Sequence, residues 1–224
     1  MSDDMPSMIC YTLFVSLEKG VEVPATEVCM RPIQLRPIHI AYGLLGFFFV
    51  TEPLLRQGKA ASSLQEDPAD RGSTKLIGAT FGLALFAVLV APLLNRWKVG
   101  HFRSKTLAWS GIMAMLAGLA LRIWASRVLG AFYTRILRTS TQQQLVTKGP
   151  YRLVRHPGYL ADLLMWLGAG FATANWIVPV SLAIPMMGAY GYRMQVEEAM
   201  LADVFPQEFP DYASHTWRFV PLLY

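Results

Sequence analysis

Charge is scarce in this chain. Asp, Glu, Lys and Arg make up 16% of its 224 residues, against about a quarter in soluble globular domains. Hydrophobic residues make up 54% and mean hydropathy is +0.35, so the composition is that of a membrane protein. Cysteine is nearly absent. Cys10 and Cys29 both fall in the N-terminal segment, which excludes a disulfide framework and a cysteine-based metal site. No other run has metal-ligand spacing, and no metal is expected. Repeats and low-complexity tracts are lacking, and no G-x-G-x-x-G follows a strand-like run, which argues against a dinucleotide domain. The acidic start, with Asp3 and Asp4, lacks the basic region of a secretory signal. The net charge of +5 is spread along loops instead of gathering into a basic-aromatic patch. It points to anionic headgroups and membrane topology, and nucleic acid is not an expected partner.

What the chain does have is long apolar runs. Residues 38–55, 76–94 and 107–125 each read as a span, and 159–176 with 177–192 read as a helical hairpin just long enough to cross. The expected fold is all-α: a polytopic membrane bundle of about five transmembrane helices with a C-terminal helical hairpin and a cytosolic pocket. Residues 1–36 form a separate N-terminal segment. Within it the apolar run 8–17 is too short to span, and it is expected at the interface or against the bundle. Residues 126–138 carry Arg127, Arg135 and Arg138 among apolar side chains and read as an amphipathic interfacial helix. Lys and Arg are more numerous on the side of loops 56–75 and 126–158 than on the other, which places that side in the cytoplasm. Trp97, Trp109, Trp124 and Trp176 read as interfacial belt residues. His39, Glu52 and Arg122 read as flanking or anchoring positions.

Polar residues at a membrane boundary form two clusters. The run 145–160 sets Lys148, Gly149, Pro150, Tyr151, Arg152, Arg155, His156, Pro157, Gly158 and Tyr159 between apolar segments. Proline suits a first helical turn, where its missing N–H costs nothing. His156 would cap that turn, and the N–H groups after it form an anion-binding end. Read alone, such a run is more often a basic anchor capping a span than a site. The second cluster, Arg193-x-x-x-Glu197-Glu198, puts Arg193 and Glu197 on one helical face, and alone it reads as a surface ion pair. The hairpin, however, returns both clusters to the same membrane face. An anion-binding helix end beside carboxylates suits a zwitterionic, nucleotide-like ligand.

Two patterns carry a resemblance. Gln144-Leu145-Val146-Thr147-x-Gly149-Pro150-Tyr151-x-x-x-Arg155-His156-Pro157-x-Tyr159 is one. The other is Glu197-Glu198-x-x-Leu201-x-x-x-Phe205, followed by Phe209, Tyr212 and Arg218-Phe219-Val220-Pro221. Both resemble the isoprenylcysteine carboxyl methyltransferase family in order and spacing. The resemblance implies an integral-membrane enzyme that uses S-adenosylmethionine, with residues 37–224 as one membrane methyltransferase domain and 126–224 as its cofactor-binding core. It implies cofactor contacts at Gln143, Gln144, Leu145, Val146, Tyr151, His156, Pro157, Gly158, Tyr159, Glu197 and Glu198. Arg193 or Arg155 would orient the acceptor. The implied acceptor is the carboxylate of a prenylcysteine or a similar lipophilic acid, or else a small lipophilic thiol or phenol. The membrane would be the endoplasmic reticulum in a eukaryote or the inner membrane in a bacterium, with the site facing the cytoplasm. One departure is Ala161, where the family often has glycine, followed by Asp162. Arg-His-Pro-x-Tyr-Leu-x-Asp also resembles membrane sterol reductases, which use NADPH.

Overall fold

The computed structural model of the chain describes residues 9–16, 22–30, 36–55, 70–130 and 145–221. The predicted interfacial helix 126–138 falls largely outside them, and its first residues continue a membrane helix. Two units divide the chain, 1–36 and 37–224.

The all-α expectation holds for the second unit, and the first holds a pair of strands that the sequence did not predict. Strands β1 (Ile9–Ser16) and β2 (Glu22–Met30) pair antiparallel, with an irregularity at Leu13/Phe14. Ile9, Thr12, Phe14 and Val15, like Val23, Thr26 and Val28 opposite, are β-branched or aromatic, and such side chains suit a pleated surface better than a helix. The second unit is helical: α1 (Pro37–Leu55), α2 (Ser73–Arg96), α3 (Lys105–Leu129), α4 (Pro157–Ala172), α5 (Ile177–Val204) and the short α6 (Glu208–Ser214). Three helices among the described residues, α1, α2 and α3, are long and apolar enough to cross a membrane, where the sequence predicts about five. At 16 residues, α4 rises only about 24 Å, short of a hydrocarbon core of about 30 Å. The other hairpin limb, α5, runs well past the predicted end at Tyr192 and carries Arg193, Glu197 and Glu198 as one continuous helix.

Glycine lets α3 and α4 touch along their length. A Cβ on Gly111 would lie 2.5 Å from the carbonyl of Gly168, one on Gly168 would lie 2.5 Å from the carbonyl of Gly111, and one on Gly118 would lie 2.6 Å from that of Ala161. Small residues bring apolar helices into contact where no hydrophobic drive exists between them. Above and below this seam, Met115, Met165 and Trp166 are fully buried.

The far ends of the helices are tied by the buried Asn175 and the half-buried Asn95. Asn175 Nδ2 donates to Asn95 Oδ1 and to the Val99 carbonyl, both at 2.8 Å, and Asn95 Nδ2 donates to the Thr173 carbonyl at 2.7 Å. The α2–α3 loop is thereby locked onto the α4–α5 turn, so the starts of α2 and α4, the end of α3 and the extension of α5 share the opposite rim. Arg122 departs from its expected anchoring role. It is buried near the end of α3, paired with Glu52 of α1 at 2.7 Å and Asp162 of α4 at 3.1 Å. A side chain reaching two carboxylates inside the bundle is better satisfied there than at the interface.

Substituting Gly168→Val is expected to force α3 from α4 and destabilise the protein by about 1–3 kcal/mol. Thermal unfolding in detergent will check this. Gly82→Val, at a site with no atom within 4 Å, serves as the control.

Candidate functional site

The segment before α4 is shaped by its turn residues. Gly149 opens a 3₁₀ turn, Gly149–Arg152, with φ +61°, and a Cβ there would also lie 2.9 Å from Val128. Both facts require glycine. The chain then pairs with the C-terminal tail: Arg155 N–H donates to the Trp217 carbonyl at 2.8 Å, and Trp217 N–H to that of Leu153 at 3.0 Å. Pro157 occupies the first turn of α4 and His156 caps it, as the sequence predicts, although the His156 side chain makes no capping hydrogen bond.

That side chain turns to α5 instead. His156 Nε2 donates to Glu198 Oε1 at 3.0 Å, and its Nδ1 lies 3.6 Å from Glu197 Oε2. The two motifs therefore meet. Arg155 Nε donates to the same Glu198 oxygen at 3.0 Å, while Arg218 Nε lies 3.1 Å from Glu198 Oε2. Burial alone would raise the Glu198 carboxyl, but the His156 hydrogen bond and charge, with those of Arg155, overcome it and hold the group down at about 2. Arg155 Nη1 also donates to the carbonyls of Ala213 and Thr216, at 2.7 and 2.6 Å. It thus clamps α6 to the site.

One turn earlier on α5, Arg193 is buried. Its Nε donates to the Tyr159 hydroxyl at 3.0 Å, and that hydroxyl donates onward to Glu197 Oε2 at 2.9 Å. Arg193 Nη1 is bonded to Asp70, to Ser73 Oγ at 2.6 Å and to Thr74 Oγ1 at 3.0 Å. Asp70 itself accepts from the Thr74 N–H and hydroxyl, at 3.0 and 2.8 Å. Burial pushes its carboxyl up, but these Thr74 donors, Arg193 and Ser73 bring it below the ordinary range. The rings of His156, Tyr159 and Tyr190 stack in a column at 5.6 and 5.3 Å, which carries the site down into the bundle.

Most of the predicted residues are brought together: His156, Pro157, Gly158, Tyr159, Arg155, Arg193, Glu197 and Glu198 converge at one rim. Tyr151 joins them through its carbonyl, which accepts from the Tyr212 hydroxyl at 2.7 Å. Leu145 lies farther out, in a cleft of about 570 Å³ shared with Thr147, Arg152, Asp211, Tyr212 and Thr216, within the usual size range of ligand pockets. Val146 is half-buried beside it in sequence. Gln143 and Gln144 lie outside the described residues. Asp70, Ser73 and Thr74 are site residues that sequence reasoning missed. Their one local signal is the Asp70-Arg71-Gly72 turn, with φ +48° and +75° at its last two residues, which marks a helix start but names no partner.

Comparisons with known proteins place the chain among membrane proteins of similar sequence and fold. Residues 106–208 match the family model described as phospholipid methyltransferase. Over 147 residues the chain is 35% identical to the cobalt-zinc-cadmium resistance protein CzcN of Cupriavidus metallidurans, covering 63% of this chain and 64% of that one. The match thus spans just under two thirds of that relative. A probable protein-S-isoprenylcysteine O-methyltransferase of Oryza sativa subsp. japonica is 27% identical over 139 residues, 61% of this chain and 69% of the other. In fold, the chain is similar to the solved eukaryotic intramembrane Ras methyltransferase ICMT, with TM-score 0.60 at 18% identity, covering 85% of this chain and 70% of that one. The architecture is that of an integral membrane protein with several spanning helices. Over its C-terminal portion the chain thus resembles membrane methyltransferases of the phospholipid and isoprenylcysteine type.

The depressed Glu198 group sets a pH dependence. Its stabilising effect is complete above the unfolded value of about 4.3 and is lost as pH falls toward the folded value. Thermal unfolding in detergent is expected to show a loss of Tm across that acidic window. Glu198→Gln should flatten the loss and destabilise the protein at neutral pH by about 1–3 kcal/mol.

Proposed function

We propose that the chain is an S-adenosylmethionine-dependent methyltransferase acting at the cytoplasmic rim on a lipophilic acceptor. The acceptor class is the carboxylate of a prenylcysteine or a similar isoprenoid acid. The observation that carries this reading is the meeting of the α4 cap with the α5 carboxylates: His156 and Tyr159 both lie within 3.6 Å of Glu197.

The residues fit a zwitterionic nucleoside. Glu197 keeps the most open side chain of the central carboxylates, 29% exposed against 17% for Glu198, and would hold an ammonium or ribose hydroxyls. The start of α4, left uncapped by the His156 side chain, would receive a carboxylate. The cleft at Leu145 continues toward α6 with room for a nucleoside, and Gln143, Gln144, Val146, Tyr151, Pro157 and Gly158 complete the proposed contacts. When bound, the cofactor supplies an electrophilic methyl group on a sulfonium sulfur.

The protein's own task is then positional. An acceptor carboxylate, with a solution pKa near about 4, is already ionised at neutral pH, so no general base is needed. Arg193, braced by Asp70, Ser73, Thr74 and Tyr159, would orient that carboxylate for in-line attack and help exclude water. Of the two candidate arginines it is the one joined through the Tyr159 hydroxyl to Glu197, the more open carboxylate, whereas Arg155 is tied to Glu198 and to the α6 carbonyls.

Isothermal titration of the purified protein is expected to show binding of S-adenosylhomocysteine and none of NADPH. The reverse result would make the chain a reductase. Incubation with S-adenosylmethionine and farnesylcysteine acids should yield the methyl ester by mass spectrometry, whereas turnover confined to thiols or phenols would move the acceptor class. Glu197→Ala and Arg193→Lys are each expected to lower turnover by at least about a hundredfold while the protein remains folded. Wild-type rates in both would refute the assigned roles.

A further inference from the structure

Below the rim, Arg122 joins three parts of the bundle. Its Nε and Nη2 bond both oxygens of Glu52, at 3.2 and 2.7 Å, in a fork-to-fork pair with α1. Its Nη1 donates to Asp162 Oδ2 and to the Gly158 carbonyl, each at 3.1 Å. The side chains of Glu52, Arg122 and Asp162 are only 12, 11 and 3% exposed. Such a buried ion cluster seldom adds net stability over apolar side chains of the same volume. Stability is thus a weak account of it, and its position offers a better one.

Gly158 stands in the first turn of α4, between the His156-Pro157 cap and Tyr159. A Cβ at residue 158 would lie 3.2 Å from Arg122 Nη1, so any larger residue there would push the guanidinium off this carbonyl by a few tenths of an ångström. Tyr159 follows directly, and its hydroxyl sits between Arg193 and Glu197. A rotation or axial slip of that first turn would carry the hydroxyl and the His156 ring away from the carboxylates together. The Arg122 fork resists both movements, because it is referenced to α1 and α3 at the same time.

We propose that Arg122, gripped by Glu52 and Asp162, is a positioning residue that holds the first turn of α4 in its productive place. The proposal rests on the methyltransferase reading. It makes α1, which lies outside the matched residues 106–208, part of what aligns cofactor and acceptor groups.

The test uses the full chain in detergent, with S-adenosylhomocysteine affinity, kcat, KM and Tm read on each variant. Arg122→Lys keeps the charge but not the fork, and Gly158→Ala crowds the carbonyl contact. Both are expected to lower kcat by at least about tenfold, with the acceptor KM nearly unchanged, as a small misplacement of reacting groups does. The combined variant Glu52→Leu, Arg122→Met, Asp162→Leu is expected to keep its Tm and still lose affinity and turnover. A cluster that positions nothing predicts, for that variant, activity preserved along with Tm. Wild-type kcat in Arg122→Lys and Gly158→Ala overturns the proposal even if the combined variant does not fold. Losses that merely track Tm overturn it as well. Absence of S-adenosylhomocysteine binding by the wild-type protein is a separate result, and it defeats the underlying reading before any variant is compared.

Discussion

Glu198 gathers three segments that are far apart in the chain. His156 and Arg155 reach it from the cap of α4, and Arg218 reaches it from the C-terminal tail. A carboxylate has acceptor sites for several donors, and one that is half-buried among cationic groups is most stable when those sites are filled. The tight turn at residues 173–176 fixes the hairpin at its far end; Glu198 closes it at the near end. With both ends held, Glu197 and Arg193 have little choice of neighbour. Helical geometry places them on the face that meets Tyr159.

The charged groups are arranged in two layers. The upper one, from Asp70 through Arg193 and Glu197 to Glu198, lies at the rim where a polar ligand can arrive. The lower one, Glu52–Arg122–Asp162, sits inside the bundle. Burying charge in either place is costly unless each group finds partners, and the multiple hydrogen bonds of both layers answer that cost. The glycine seam between α3 and α4 makes the arrangement geometrically available. Close backbone approach brings Arg122 within reach of the Gly158 carbonyl, and bulkier side chains along the seam would hold it off.

The likeness to the membrane methyltransferases falls on the C-terminal half. The matched residues 106–208 include the cap of α4 and the α5 carboxylates. They do not include Asp70, Ser73, Thr74 or Glu52, which brace Arg193 and Arg122 from α1 and the start of α2. The meeting of the α4 cap with the α5 carboxylates thus falls within the matched portion of the chain. The groups that brace Arg193 and Arg122 come in part from residues before that match.

Hydropathy located α1, α2 and α3 to within about four residues at each end, because a membrane core demands a long unbroken apolar run and a sequence cannot disguise one. Proline after His156 and the one-turn spacing of Arg193 and Glu197 made most of the candidate site legible, since caps and helical faces are local properties. The N-terminal strands were less so: a short apolar run with β-branched residues shows its preference only when a partner of matching pattern pairs with it. Asp70 and Arg122 were beyond reach for another reason. Each looks like an ordinary polar residue at the end of a span. Its role depends on a partner more than a hundred positions away for Asp70, and on α1 and α4 at once for Arg122. Only the packing of the helices decides which buried charge meets which, because pairing is a property of distance in space and leaves no periodic mark along the chain.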